Sequence, residues 1–68
     1  MPLTWKRRGM RVKALREARG WTQEILANKA KVSRVTIGRI EIGHSRPSLE
    51  LLERLAKILK VRVSQILE

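Results

Sequence analysis

Residues 22–43, TQEILANKAKVSRVTIGRIEIG, constrain the fold more than any other stretch of this chain. They hold two short helical patterns separated by a tight turn. Thr22 stands where a helix N-cap belongs, since its hydroxyl can accept a hydrogen bond from a free amide of the next turn. Leu26, Ala27 and Ala30 then share the buried face of a helix predicted over about Gln23–Ala30. Trp21, just before the cap, is placed to pack on Leu26 as a hydrophobic staple. The third helical position is Ile25 rather than Glu or Gln, so no capping box forms. Lys31-Val32-Ser33 make the turn, with Val32 set to insert between the helices and Ser33 as the next N-cap. A second helix follows over about Arg34–Ile42 with Ile37 and Ile40 inward, and Gly43 ends it.

The flanks supply the rest of a domain. A first helix is predicted over about Arg8–Arg19, with Val12 and Leu15 inward and Gly20 as its stop. Its outward face carries Arg11, Lys13 and Glu17. Residues 1–7, MPLTWKR, show no helical period, and Pro2 discourages an early start. They are expected to form a basic arm ahead of a single domain at 8–68. His44-Ser45-Arg46-Pro47 is a loop, and Ser48 caps a helix over about Leu49–Leu59. Leu49, Leu52, Leu55, Ala56 and Leu59 give that helix its buried pattern. Glu50 in its first turn and Lys57 and Lys60 at its far end suit the helix dipole. A short helix, Val63–Leu67, closes the chain. No segment has a strand period, so the expected fold is all-α, a compact five-helix bundle.

Composition narrows the function. A 68-residue chain buries only about 60% of the surface its unfolded form exposes, so its stability is marginal and dimerisation would help. There is no cysteine, and one histidine, His44, cannot build a metal site alone. No cofactor is expected. No apolar run approaches the ~20 residues of a membrane span, and no signal-peptide core is present, so a cytoplasmic location is expected. Sixteen Lys and Arg face six Asp and Glu, a net charge of +10. That excess suits a polyanion, either nucleic acid or an anionic membrane. The core stripes and caps favour a specific fold over a basic membrane-active chain. The absence of Phe and Tyr argues against RNA recognition by base stacking. No paired carboxylates suggest catalysis, and Glu50 and Glu53 read as solvated charges, so no enzyme is expected.

The ordered set of motifs resembles the Cro/repressor-type helix-turn-helix family, also called XRE-like or lambda repressor-like. The resemblance rests on Leu15-Arg16 with Gly20, Thr22-Gln23-Glu24, Leu26-Ala27, Val32-Ser33-Arg34, Ile37, Ile40-Glu41, Gly43 and Arg46-Pro47-Ser48-Leu49. It continues through Leu55-Ala56-Lys57, Leu59, Val61 and Ile66-Leu67, and covers about residues 10–68. It implies a sequence-specific, usually dimeric regulator of transcription without catalysis. It places Gln23 where the family bonds a DNA phosphate. It puts Arg34, Val35, Thr36, Gly38 and Arg39 on the exposed part of the recognition helix. It makes Arg16 and Glu41 an ion pair joining the first helix to the third. Three residues depart from the pattern. Lys31 replaces a turn glycine and is expected to carry left-handed strain of order 1 kcal/mol. Ile25 and Ile42 stand where polar residues are usual.

The chemistry needs phosphate contacts for affinity and base contacts for specificity. Gln23 and Ser33 sit at helix N-termini, where free N–H groups favour anions. Arg46, with His44 and Ser45, lies in the loop where the family touches phosphate; a solvated loop arginine is the alternative. Arg34 can grip guanine O6 and N7, worth about 1–3 kcal/mol of discrimination, or contact phosphate instead. Thr36 or Val35 can pack on a thymine methyl, unless Val35 is half core. Arg39 reaches bases, backbone or only solvent. Gly38 costs roughly 1 kcal/mol relative to Ala in a helix, which either close approach to DNA or packing would explain. Lys6, Arg7 and Arg8 form either a solvated charge run or an arm tracking phosphates or the minor groove, with Trp5 as a packing residue rather than a wedge. Val61, Val63, Ile66 and Leu67 are a candidate homodimer interface, or else they cap the core. The expected partner is an operator in double-stranded DNA, bound by a homodimer, with no small-molecule effector evident. The alternative is an antitoxin-type interaction module that also represses its own operon, although a toxin-binding tail is lacking.

Overall fold

A computed structural model describes residues 3–67. It contains five helices: α1 (Leu3–Ala18), α2 (Gln23–Ala30), α3 (Arg34–Glu41), α4 (Leu49–Leu59) and α5 (Val63–Leu67). Three N-caps form where the sequence places them. Thr22 Oγ1 accepts from the Ile25 amide, Ser33 Oγ from Thr36 and Ser48 Oγ from Leu51, each at 3.1 Å. At α5 the side chain of Gln65 reaches back to accept from the Arg62 amide at 2.9 Å.

The helix ends share one device. After α1, α2, α3 and α4 the chain closes a Schellman turn, in which two amides past the helix return to its last carbonyls. Trp21 N–H bonds the Arg16 carbonyl, Val32 that of Ala27, His44 that of Arg39, and Val61 that of Ala56. Each turn needs a left-handed residue. Gly20 and Gly43 supply two of them, at φ +72° and +79°. Lys31 and Lys60 supply the others, at φ 59° and 60°. Lys31 therefore takes the strained conformation expected of it, and Lys60 is a second such site that the sequence analysis did not single out. Trp21, Val32 and Val61, next after three of these positions, pack against the core.

That core is Val12, Leu26, Ala27, Ala30, Ile37, Ile40, Leu52, Leu55, Ala56, Leu59 and Ile66. Helix α1 bridges α3 and α5, while α2 lies between α3 and α4. Three expectations change. The arm at 1–7 is helical from Leu3, whereas Met1 and Pro2 lie outside the described residues. Proline is tolerated in a first helical turn, so Pro2 does not bar that start. The extra turns are held by tertiary contacts rather than by an apolar period. Trp5 packs on the core, and Gly9 lets α1 approach the α3 backbone so closely that a Cβ there would collide with the Ile40 carbonyl and stand 2.9 Å from that of Glu41. Leu49 is 57% exposed, because it opens α4 at the rim of the bundle, ahead of the turns that reach the core. Finally, Ile66 is fully buried and offers nothing to a partner chain, while Val61, Val63 and Leu67 are half-buried against the same core.

Candidate nucleic-acid interface

The geometry of α2 and α3 is set by a buried ionic network. Arg16 of α1 donates from Nε to Glu41 Oε2 at 2.7 Å and from Nη2 to Oε1 at 3.0 Å, a bidentate fork. Gln23, the first residue of α2, donates from Nε2 to the same Oε1 at 3.0 Å. Arg16 also donates to the Trp21 carbonyl at 2.7 Å. One carboxylate thus ties together α1, α2 and α3, and among the described residues no buried side-chain polar atom lacks a partner. The hydrogen bonds to Glu41 raise the Arg16 pKa against the opposing effect of burial, so the guanidinium stays charged.

With Ile37, Ile40 and Glu41 turned inward, the outer face of α3 is left to Arg34, Val35, Arg39 and Ile42 at its end, all exposed. Val35 is half exposed, at 50%, which excludes it from the core. Thr36 is less available, because its hydroxyl pairs with Ser33 Oγ at 2.8 Å. Ser33 is exposed but its hydroxyl is engaged twice, in that pair and as the cap. Gly38 lies among these residues, and a Cβ added there would meet only Gln23, at ordinary contact distances of 3.6 and 3.9 Å. Packing within the domain does not require this glycine.

The loop after α3 carries exposed His44 and Arg46 and half-buried Ser45. Gly43 holds this loop against α1, since a Cβ there would stand 2.7 Å from Lys6 Cα. Exposed Lys6 is thereby brought beside the loop, and Arg7 is exposed on the same helix. Arg8 is not part of this set. Its guanidinium lies 4.9 Å over the Trp5 ring and donates to the Leu67 carbonyl at 3.3 Å.

Arg8 is one of several cations spent on the fold. Arg11 donates to the Gln65 carbonyl, Arg19 to Leu59 and Arg54 to Ala30, each at 2.9 Å. All of these acceptors sit in the last turns of α5, α4 and α2, where carbonyls lack helical partners and the dipole favours a cation. With Arg16, five arginines are committed to internal acceptors. The net charge counts these arginines with all the others; long-range pairing of an arginine with a helix end leaves no local signature in sequence. The Gln23–Glu41 bond and the close contacts of Gly9 and Gly43 were missed for the same reason.

Residues 12–66 match the family model for helix-turn-helix, HTH_3. The immunity repressor protein of Bacillus phage phi105 is 45% identical over 58 residues, which is 85% of this chain and 40% of that protein. The competence pilus inhibition repressor of Acinetobacter baylyi is 41% identical over 58 residues, 85% of this chain and 53% of that one. Among solved structures, the biofilm master regulator SinR in complex with DNA superposes with a TM-score of 0.85 at 32% identity, covering 90% of this chain and 98% of that chain. The restriction-modification controller protein C.AhdI from Aeromonas hydrophila gives 0.87 at 31% identity, covering 91% and 94%. The fold is that of an all-helical module found in DNA-binding transcriptional regulators. The chain belongs to the helix-turn-helix family HTH_3, and it spans about half the length of the curated relatives it matches. Among the described residues, no helix is long and apolar enough to cross a membrane.

Proposed function

We propose that this chain is a sequence-specific repressor of transcription that places α3 in the major groove of double-stranded DNA. The observation that carries this reading is the two-sided chemistry of α3. Its inner face is locked by Ile37, Ile40 and Glu41, and its outer face presents two arginines, a valine and a glycine that the fold itself does not use. Eight helical residues span about 12 Å, the width of the major groove. Arg34 and Arg39 stand about 7.5 Å apart along the axis, roughly two base steps. Either can grip guanine.

The N-terminus of α2 meets the backbone, where free amides favour phosphate. Gln23 keeps a second Nε2 hydrogen for that purpose. Ser33, His44, Ser45 and Arg46, with Lys6 beside the loop and Arg7 exposed on the same helix, complete the phosphate-facing rim. Two copies bind a near-palindrome with half-sites about 34 Å apart. Their interface draws on Val61, Val63 and Leu67 without Ile66.

Selection of duplexes from a random library at about 150 mM salt tests the proposal. Enrichment of an inverted repeat with half-sites about one helical turn apart supports it. Binding without enrichment that fades as salt rises rejects sequence-specific regulation.

A further inference from the structure

Gly38 opens a notch in the outer face of α3, and the notch has a defined chemistry. One wall is Val35, a helical turn earlier and half exposed. The floor is the side-chain amide of Gln23, whose Oε1 and Nε2 lie 3.6 and 3.9 Å from where a Cβ would be. The orientation of that amide is forced. Glu41 Oε1 is a carboxylate oxygen and only accepts, so the group 3.0 Å from it is Nε2. The carbonyl Oε1 is therefore the end nearer the notch. A phosphate offers no proton for Oε1 to accept.

We infer that this notch reads an A·T base pair, with Gln23 Oε1 accepting from the adenine N6 amino group and Val35 packing on the thymine methyl. The inference rests on the major-groove reading of α3 and adds a base-reading role for Gln23. An A·T pair presents both an amino donor and a methyl group in the major groove. A guanine in adenine's place would set its O6 acceptor against Oε1. A C·G pair supplies an amino group but no methyl. Glu41, buried behind Gln23, holds the acceptor in place before DNA arrives, and the missing Cβ of residue 38 gives the base its room.

The test uses the duplex enriched from the random library and changes single atoms in it. Replacing the critical adenine by purine deoxyriboside, which lacks N6, is expected to weaken binding about tenfold, the size of one base hydrogen bond. Replacing the paired thymine by uracil is expected to cost about fourfold, as for one buried methyl. The first loss vanishes in Gln23→Ala and the second in Val35→Ala, with folding of each variant checked by circular dichroism. Gly38→Ala keeps the fold and weakens the enriched duplex. The inference is overturned if Gln23→Ala weakens every duplex by one factor and the purine substitution costs the variant as much as the parent. Gln23 is then a phosphate contact only. Failure of the parent protein to enrich any duplex instead rejects the major-groove reading on which the inference stands.

Discussion

Replacing Glu41 by alanine is the sharpest perturbation of this domain. The Glu41 side chain is 1% exposed and that of Arg16 9%, and the carboxylate receives three charge-bearing or amide donors. Its removal leaves a guanidinium largely buried, with only the exposed Glu17 carboxylate at 3.8 Å as a counter-charge, a loss of about 3–5 kcal/mol. A domain of this length holds only about 3–10 kcal/mol in total. Each kcal/mol is worth about 4–8 °C in Tm for so small a domain. Glu41→Ala is therefore expected to lower Tm by at least about 12 °C, or to abolish a cooperative transition in thermal circular dichroism. Glu41→Gln is expected to fall between, because its amide group would face donors on Arg16 or Gln23. Replacing both partners, Arg16→Met with Glu41→Leu, removes the charge together with its counter-charge and recovers most of the loss. What stays lost is the Arg16 bond to the Trp21 carbonyl and the Gln23 bond to Glu41. A Tm drop below about 5 °C for Glu41→Ala, or a double variant no better than the sum of the singles, would refute the argument that the pair is a buried unit.

Other consequences are equally open to measurement. Gly9→Ala and Gly38→Ala are the same helical substitution with opposite expected signs. The first collides with the α3 backbone and should cost more than about 2 kcal/mol in urea unfolding, whereas the second should gain roughly 0.5–1 kcal/mol. Equal effects would mean that α1 and α3 are not in close contact. Lys31→Gly and Lys60→Gly each relieve a left-handed residue and should each raise stability by up to about 1 kcal/mol; a loss at either site would show that its lysine compensates through another contact. In salt titrations of DNA affinity, Arg46→Ala should reduce the log–log slope by about 0.9. Arg54→Ala should leave that slope unaltered and lower Tm, since its guanidinium is spent on the Ala30 carbonyl.

The parts of this fold legible in the chain were those written in neighbouring residues. Thr22, Ser33 and Ser48 were recognisable as caps because a cap bonds an amide three residues on. The stripe through Leu52, Leu55, Ala56 and Leu59 showed because helical period is local. The extent of α1 was hidden. Its packing uses Gly9, the Trp5 ring and arginine side chains, none of which builds an apolar period. At the candidate site, the family resemblance put Arg34, Val35, Gly38 and Arg39 on the outer face of α3, and only the structure excluded Val35 from the core. The lesser availability of Thr36, the internal use of Arg8 and the orientation of Gln23 could not be foreseen, because each depends on which polar atom stands opposite.

Sequence alone therefore determined the five-helix class, the turn between α2 and α3, and the inward placement of Ile37 and Ile40 on α3. These follow from periodicity and capping, whose range is a few residues. Tertiary structure decided which arginines are spent on helix-end carbonyls, and which end of the Gln23 amide lies nearer the gap at Gly38. A hydrogen bond such as Arg8 to Leu67, between residues 59 positions apart, is set only when the helices meet, since partner choice depends on distance in space and leaves no periodic trace in the chain.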